Sequence, residues 1–248
     1  MSNVVDVYWS TPFTSKTGIP KFILNIDEPL SISEELAYFS KSDHHSANNF
    51  TRCPSYQQFL KNKFLVTSPV KYNLKFKNEQ VSSDYYDQDF FDDYVLVRDS
   101  KNKLVGFHFF THIFFCEESL SMEMMQPFLS SNQFNKNNIL IPGEFDISKW
   151  FRPLEVAFIV KDDPSEFTIN VNDPLYYLSF KTTKKVNFKK FYFTERCTEI
   201  LDSCYNEKKY SDSNRNIKTY FDVVYKKFTQ SKYNKALLKE IKNNLLDD

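Results

Sequence analysis

Residues 103–116 read KLVGFHFFTHIFFC. Successive side chains of an extended strand point to opposite faces. Val105, Phe107, Phe109, Thr111, Ile113 and Phe115 would then share one face, and Leu104, Gly106, His108, Phe110, His112 and Phe114 the other. Both faces are largely apolar, and the Phe and β-branched content argues against a helix. The segment predicts a central strand covered on both sides.

The stretches around it carry the same period. On its N-terminal side, Asp99-Ser-Lys-Asn102 is a plausible hairpin turn joining it to a strand at Tyr94–Arg98. Further back, Val70, Tyr72, Leu74 and Phe76 alternate with Lys71, Asn73, Lys75 and Lys77, the pattern of a strand with one wet face. Strands are also predicted at Val4–Trp9, Lys21–Ile26 and Lys63–Thr67. Two short helices interrupt them. One starts at Ser33, with Glu34 and Glu35 in its first turn; the other starts at Cys53-Pro54, with Pro54 at the first helical position. On the C-terminal side, strands follow at Ile139–Pro142, Leu154–Val160, Phe167–Val171, Leu175–Thr182 and Val186–Phe193, with a turn at Asn172-Asp173-Pro174.

Near Thr194 the period changes from two to about 3.6. Ile217, Tyr220, Phe221, Val224, Tyr225 and Phe228 form an amphipathic helical stripe, and Leu237, Leu238, Ile241 and Leu245 mark another. Glu195–Cys204 makes a third helix, with Cys197 and Cys204 on one face as small buried hydrophobes. Strands followed by helices predict an α+β fold. Its β-rich body, residues 1–193, would be a mostly antiparallel sandwich, jelly roll or β-clip, and residues 194–248 a helical tail packed on that body as part of the same domain.

Composition narrows function by exclusion. Aromatics make up 17% of the 248 residues, with 26 Phe and 15 Tyr, ample material for a core. Glycine occurs only at Gly18, Gly106 and Gly143. Phosphate cradles and dinucleotide turns need clustered glycines where the backbone approaches a phosphate, so Walker-type nucleotidases, Rossmann dehydrogenases and protein kinases are excluded. Scarce Gly, Ala and Arg beside abundant Lys, Asn, Phe and Tyr indicate an A+T-rich genome. Acids and bases balance at 32 each, which argues against a global field for nucleic acid or an anionic membrane. The acidic run Asp84–Asp93 and the basic run Lys181–Lys190 read as solvated faces. No apolar run approaches the ~20 residues of a membrane span, and MSNVVDVYWS lacks the pattern of a signal peptide. Four scattered cysteines fit reduced thiols, and the expected location is the cytoplasm.

Candidate chemistry is sparse. As strand neighbours, His108 and His112 would share a face but lie roughly 13 Å apart, too far to chelate one metal. His44 and His45 could supply ligands together with Cys53 or a distant carboxylate. No histidine has an acid two residues on, against the facial triad of non-haem iron oxygenases. Cys53, before Pro54 at a helix start, is the best candidate nucleophile, because the helix dipole lowers a thiol pKa. Glu117 and Glu118 would face opposite ways on a strand and make no acid/base pair. No cofactor is predicted. Trp150-Phe151-Arg152-Pro153 carries an aromatic–Arg pair suited either to partner contact through Trp150 and Arg152 or to closing a sheet edge.

Two segments, Arg52–Phe76 and Ile141–Phe180, resemble uncharacterised proteins of tailed marine phages and a bacterial family of unknown function. Cys53-Pro54, Ser68-Pro69 and Asp173-Pro174-Leu175-Tyr176-Tyr177 are the shared words. The resemblance implies a phage-type source, with the host cytoplasm as location, and supplies no activity. Ile141–Phe180 is also similar to the end of the dCTP deaminase and dUTPase group. On that resemblance Pro142-Gly143 matches a turn and Glu155 falls where the deaminases keep their general base. The group's Ser/Arg-rich phosphate segment is absent, and Tyr177 stands in place of its glutamine.

The function these readings predict is a non-enzymatic binding or structural interaction protein, with a protein partner or self-association into a homo-oligomer. The alternative is a small-molecule enzyme, nucleotide- or metal-dependent, on a β-clip or jelly-roll scaffold.

Overall fold

The computed structural model describes residues 3–12, 26–33, 36, 53–77, 80–89, 92, 95–99, 103–107, 112–161, 166–210 and 217–246, with main chain alone at 77, 96, 98, 205–210 and 217–221. The α+β expectation holds: among the described residues, strands predominate up to Lys190, and three helices follow from Glu195.

Strands β1 (Val4–Ser10), β8 (Ile113–Cys116) and β15 (Lys185–Lys190) form a three-stranded sheet in the order β15-β1-β8. β1 runs parallel to β15 and antiparallel to β8. A second sheet has the order β10-β12-β7-β6, from Asn138–Leu140, Val156–Val160, Leu104–Phe107 and Val95–Asp99. A third has the order β11-β9-β14-β3-β2, from Gly143–Asp146, Ser121–Met125, Pro174–Phe180, Lys63–Thr67 and Leu30–Ser31. β13 (Glu166–Ile169), β4 (Tyr72–Lys77) and β5 (Gln80–Ser82) form the fourth. Every pairing but β1 with β15 is antiparallel among the described strands.

The segment 103–116 is not one strand. Its first half is β7, paired with β6 and β12; its second half is β8, paired with β1 in another sheet. His112 precedes β8 outside any strand, and residues 108–111 between the halves lie outside the described residues. Both halves are buried on both faces, as expected. A two-faced apolar pattern records burial, and burial alone does not say whether the chain stays in one sheet.

The β15-β1-β8 sheet is the middle layer. Val5, Val7, Trp9, Phe114, Cys116, Val186 and Phe188 point into the main aromatic core shared with the other sheets. Tyr8, Ile113, Phe115 and Phe191 point the other way, against Cys197, Ile200, Leu201, Cys204, Val224, Phe228, Leu237 and Ile241 of the helices. Those helices are Glu195–Tyr210, Ile217–Gln230 and Tyr233–Asn243, numbered α3 to α5; α1 is Pro54–Leu60 and α2 is Gln133–Asn137. The Thr194 hydroxyl accepts the Cys197 main-chain N–H at 3.2 Å, which caps α3 at the position where the hydrophobic period changes. Cys197 and Cys204 are buried, as expected.

Past α5 the chain returns to the sheet. Tyr192 N–H donates to Asn244 carbonyl at 2.8 Å, and Leu246 N–H donates to Lys190 carbonyl at 3.0 Å. Lys242 pairs with Glu117 at 3.0 Å, and Thr194 donates to Glu240. Among the described residues, no helix is long and apolar enough to cross a membrane.

Candidate functional site: a groove along an end strand

Among the described strands, β15 lies at the end of its sheet, with β1 on one side only. Along a strand, main-chain N–H and C=O groups face alternate sides residue by residue. Lys185 N–H donates to Asn3 carbonyl at 2.9 Å, and Phe191 N–H donates to Trp9 carbonyl at 3.0 Å, so odd-numbered residues face β1. Even-numbered residues face outward. The Lys190 carbonyl is taken by Leu246 and the Tyr192 N–H by Asn244. Those of Val186 and Phe188 make no hydrogen bond with the described residues.

That unused stretch opens into a groove of about 1040 Å³. Across from it stand Pro29, Leu30 and Ser31 at β2 and Pro54, Gln57, Gln58 and Leu60 of α1. Val186 and Phe188 are 6% and 7% exposed, with side chains in the core. What they add to the wall is therefore main chain. Phe64 of β3 meets Phe188 edge to face at 4.7 Å and closes the floor. Leu30, by contrast, is 51% exposed at the rim.

Asn62 sets the frame. It follows α1 in the left-handed region, φ 56°, which Asn adopts more readily than most residues. Its side-chain amide donates to Thr182 and Lys184 carbonyls, both at 2.8 Å, and its carbonyl accepts from Phe180 N–H. These bonds tie the α1–β3 turn to the approach to β15.

The basic run 181–190 is largely neutralised within the chain. Lys181 pairs with Glu123 at 2.5 Å, Lys184 with Glu118 at 2.6 Å and Lys189 with Asp6 at 2.7 Å. Lys190 sits 4.8 Å over the Trp9 ring and donates to Ile26 carbonyl. Lys185 forms no ion pair with a described residue, nor does Lys61; both line the groove, where Glu28 is the one acid among the described lining residues.

A smaller cavity of about 110 Å³ lies beside His112, walled by Asp27, Thr67, Pro69 and Asn172 among others. His112 is 1% exposed, stacks on Phe114 at 5.7 Å and lies 5.4 Å from Trp9. Its Nε2 meets Asp27 carbonyl at 3.1 Å; a carbonyl only accepts, so Nε2 carries the proton and Nδ1 is bare. Neither Nδ1 nor the Trp9 indole N–H has a hydrogen-bond partner. Burial lowers the imidazole pKa to about 4; the Asp27 carbonyl opposes that shift and the Lys190 charge adds to it.

The other sequence candidates fall in separate places. Cys53 is exposed at the N-cap of α1, and the Tyr56 and Ser55 main-chain N–H groups hold its thiol below the ordinary range. Glu155 faces Arg152, 3.9 Å away. Trp150 is 4% exposed, packed edge to face on Phe145 with the Arg152 guanidinium 4.7 Å above its ring. Pro153 bridges to Ile113 at the outer edge of β8. The cluster closes that sheet edge from within, and Trp150 presents little surface to a partner. His44, His45 and His108 lie outside the described residues. Among the described residues, no three His, Cys, Asp or Glu side chains gather as a metal site.

The groove residues Leu30, Asn62, Val186 and Phe188 were not singled out in the sequence. Asn62, between a helix and a strand, carried a turn signal. Val186 and Phe188 looked like any alternating strand, because an end position is a property of topology. No protein-family model, curated protein sequence or solved structure matches the chain.

Proposed function

We propose that this protein is a non-catalytic interaction protein, and that it seats part of a partner protein in the groove between β15, α1 and β2. The observation that carries the reading is the outward main chain of Val186 and Phe188, open to a groove held in shape by Asn62. Unpaired main-chain donors and acceptors along a sheet end are a template for another chain. The mixed lining, with exposed Leu30 beside Gln57, Gln58 and Lys185, suits a protein surface better than a small apolar ligand.

A photo-crosslinking residue placed at Gln57, in cells making the full chain, tests this. It should give one discrete adduct that disappears when Leu30→Glu is added. The same residue at Tyr85, exposed at a bend after β5, should give none. An adduct of twice the chain's mass identifies a second copy as the partner. Equal adducts from both positions, or an adduct indifferent to Leu30→Glu, overturn the reading.

A second reading, a small-molecule enzyme, draws on the cavity beside His112. At about 110 Å³ it is smaller than the ~150 Å³ that takes a benzene ring, so a nucleobase would not fit without rearrangement. Thermal stabilisation by a deoxynucleotide or a divalent metal would favour this reading over the first.

A further inference from the structure

Resting on the interaction reading, we infer that the groove's occupant is an extended, acidic segment of the partner, added as a strand to the open edge of β15. Two observations select a strand over a helix or a small molecule. The first is the form of the wall. Val186 and Phe188 offer main-chain groups, two N–H and two C=O, at the spacing of alternate residues. A helix has spent its own main-chain groups on internal hydrogen bonds and has nothing to exchange with them. An extended segment exchanges all four, as in other recognition by strand addition.

The second observation is that the same edge already takes such a segment. Residues 244–246 lie against Lys190–Tyr192, where Leu246 donates to Lys190 carbonyl, Tyr192 donates to Asn244 carbonyl and Leu245 pairs with Phe191. The outward Lys190 carbonyl and Tyr192 N–H are thus used, and they lie in one row with the groups of Val186 and Phe188, which are not. Continuing the row toward Lys185 leads into the groove.

Charge selects the partner's chemistry. Lys61 and Lys185 line the groove without an ion pair to any described residue, whereas Lys181, Lys184 and Lys189 nearby are each matched by a carboxylate. A guest with Asp or Glu at alternate positions would meet the two unmatched lysines. Its intervening apolar side chains would meet Leu30, Leu36 and Phe64. A lysine-bearing guest would repel them.

The probe is a capped heptapeptide of alternating Val and Glu, compared with its Val/Lys counterpart and with two versions N-methylated on alternate amides, one on the Val set and one on the Glu set. Binding is read by calorimetry, and hydrogen exchange is read at the Val186 and Phe188 amides of the full chain. The Val/Glu peptide should bind and slow exchange at both amides tenfold or more. At least one N-methylated version should bind tenfold more weakly, because methylation removes the donors facing β15. The Val/Lys peptide should bind at least threefold more weakly, and Lys61→Glu with Lys185→Glu should invert that preference.

No binding, unchanged exchange at Val186 and Phe188, or equal binding of all methylated forms overturns strand addition. Equal binding of the Val/Glu and Val/Lys peptides overturns the acidic assignment. If the Gln57 crosslink remains groove-dependent while strand addition fails, the interaction reading stands and this inference alone falls. Loss of the crosslink removes the reading itself.

Discussion

The His112 imidazole is buried, and among the described residues its one hydrogen-bond partner is the Asp27 carbonyl. Protonating it would put a second N–H at the partnerless Nδ1, on a ring 5.4 Å from that of Trp9, and a positive charge near Lys190. The folded-state pKa of about 4 therefore lies below the ordinary imidazole value of 6.5. Between those values the unfolded chain binds more protons than the folded one, so stability rises with pH. The contribution is complete above pH ~6.5 and is lost as pH falls toward 4, by about 3 kcal/mol in all. Urea denaturation of the native chain and His112→Gln at pH 7 and pH 4.5 checks this. The native chain should lose stability relative to the variant on acidification, since other titrating groups are common to both. Parallel losses would refute it. The same residue scale separates the cysteines: burial pushes Cys116 up to about 11 and raises Cys197, whereas Cys53 shifts the other way at the surface.

The α1–β3 turn joins two sheets through one side chain. Asn62 takes a left-handed main chain and spends its amide on two carbonyls more than a hundred residues away in sequence. Asn62→Ala removes both hydrogen bonds and puts a Cβ-bearing residue without a polar side chain at positive φ. We expect a loss of about 2–3 kcal/mol in denaturant unfolding. Asn62→Gly loses the same bonds but relieves the main chain, and should cost about 1 kcal/mol less. Both should weaken probe binding, because the start of β15 is no longer fixed. Equal destabilisation by the two variants would show that the main chain there is not strained. Elsewhere at this scale the hairpin β6–β7 and the turn Asn172–Asp173 follow sequence expectation. Asn172 has φ 66°, and the Asp173 carboxylate accepts from Asn170 N–H at 2.8 Å.

Across the whole molecule, the β15-β1-β8 sheet is covered on its second face around Tyr8, Ile113, Phe115 and Phe191, while Asp6, Lys185, Asn187 and Lys189 on that face meet solvent. Tyr8, Ile113, Phe115 and Phe191 would be a bare apolar surface without α3–α5, and the helices' own apolar stripes would be equally bare without the sheet. Ile241→Ala empties a site that is fully buried between them and should cost about 2–5 kcal/mol. Helix signals and exchange protection at the Tyr8 amide should then be lost in one transition. Two separate transitions would mean that the helical tail folds independently of the sheet.

Alternation at 70–77, the shift of period at Thr194 and the spacing of Cys197 and Cys204 were legible because each depends on near neighbours, one strand pair or one helical turn. The strand Ser121–Met125 was missed although Leu120, Met122 and Met124 alternate with Ser121, Glu123 and Met125; its methionines lack the β-branched and aromatic mark of its neighbours. The division of 103–116 between two sheets could not be read, since both halves carry the same two-faced pattern. Nor could the groove. Sequence by itself determined that this protein would be a sheet-rich aromatic core with a helical layer, because hydrophobic period and composition are local quantities. Tertiary structure alone decided that β15 would be an end strand, that Asn62 would brace it and that Trp150 would turn inward. Those outcomes depend on which distant strands pair, a choice made by the sum of many long-range contacts and recorded in no single stretch of chain.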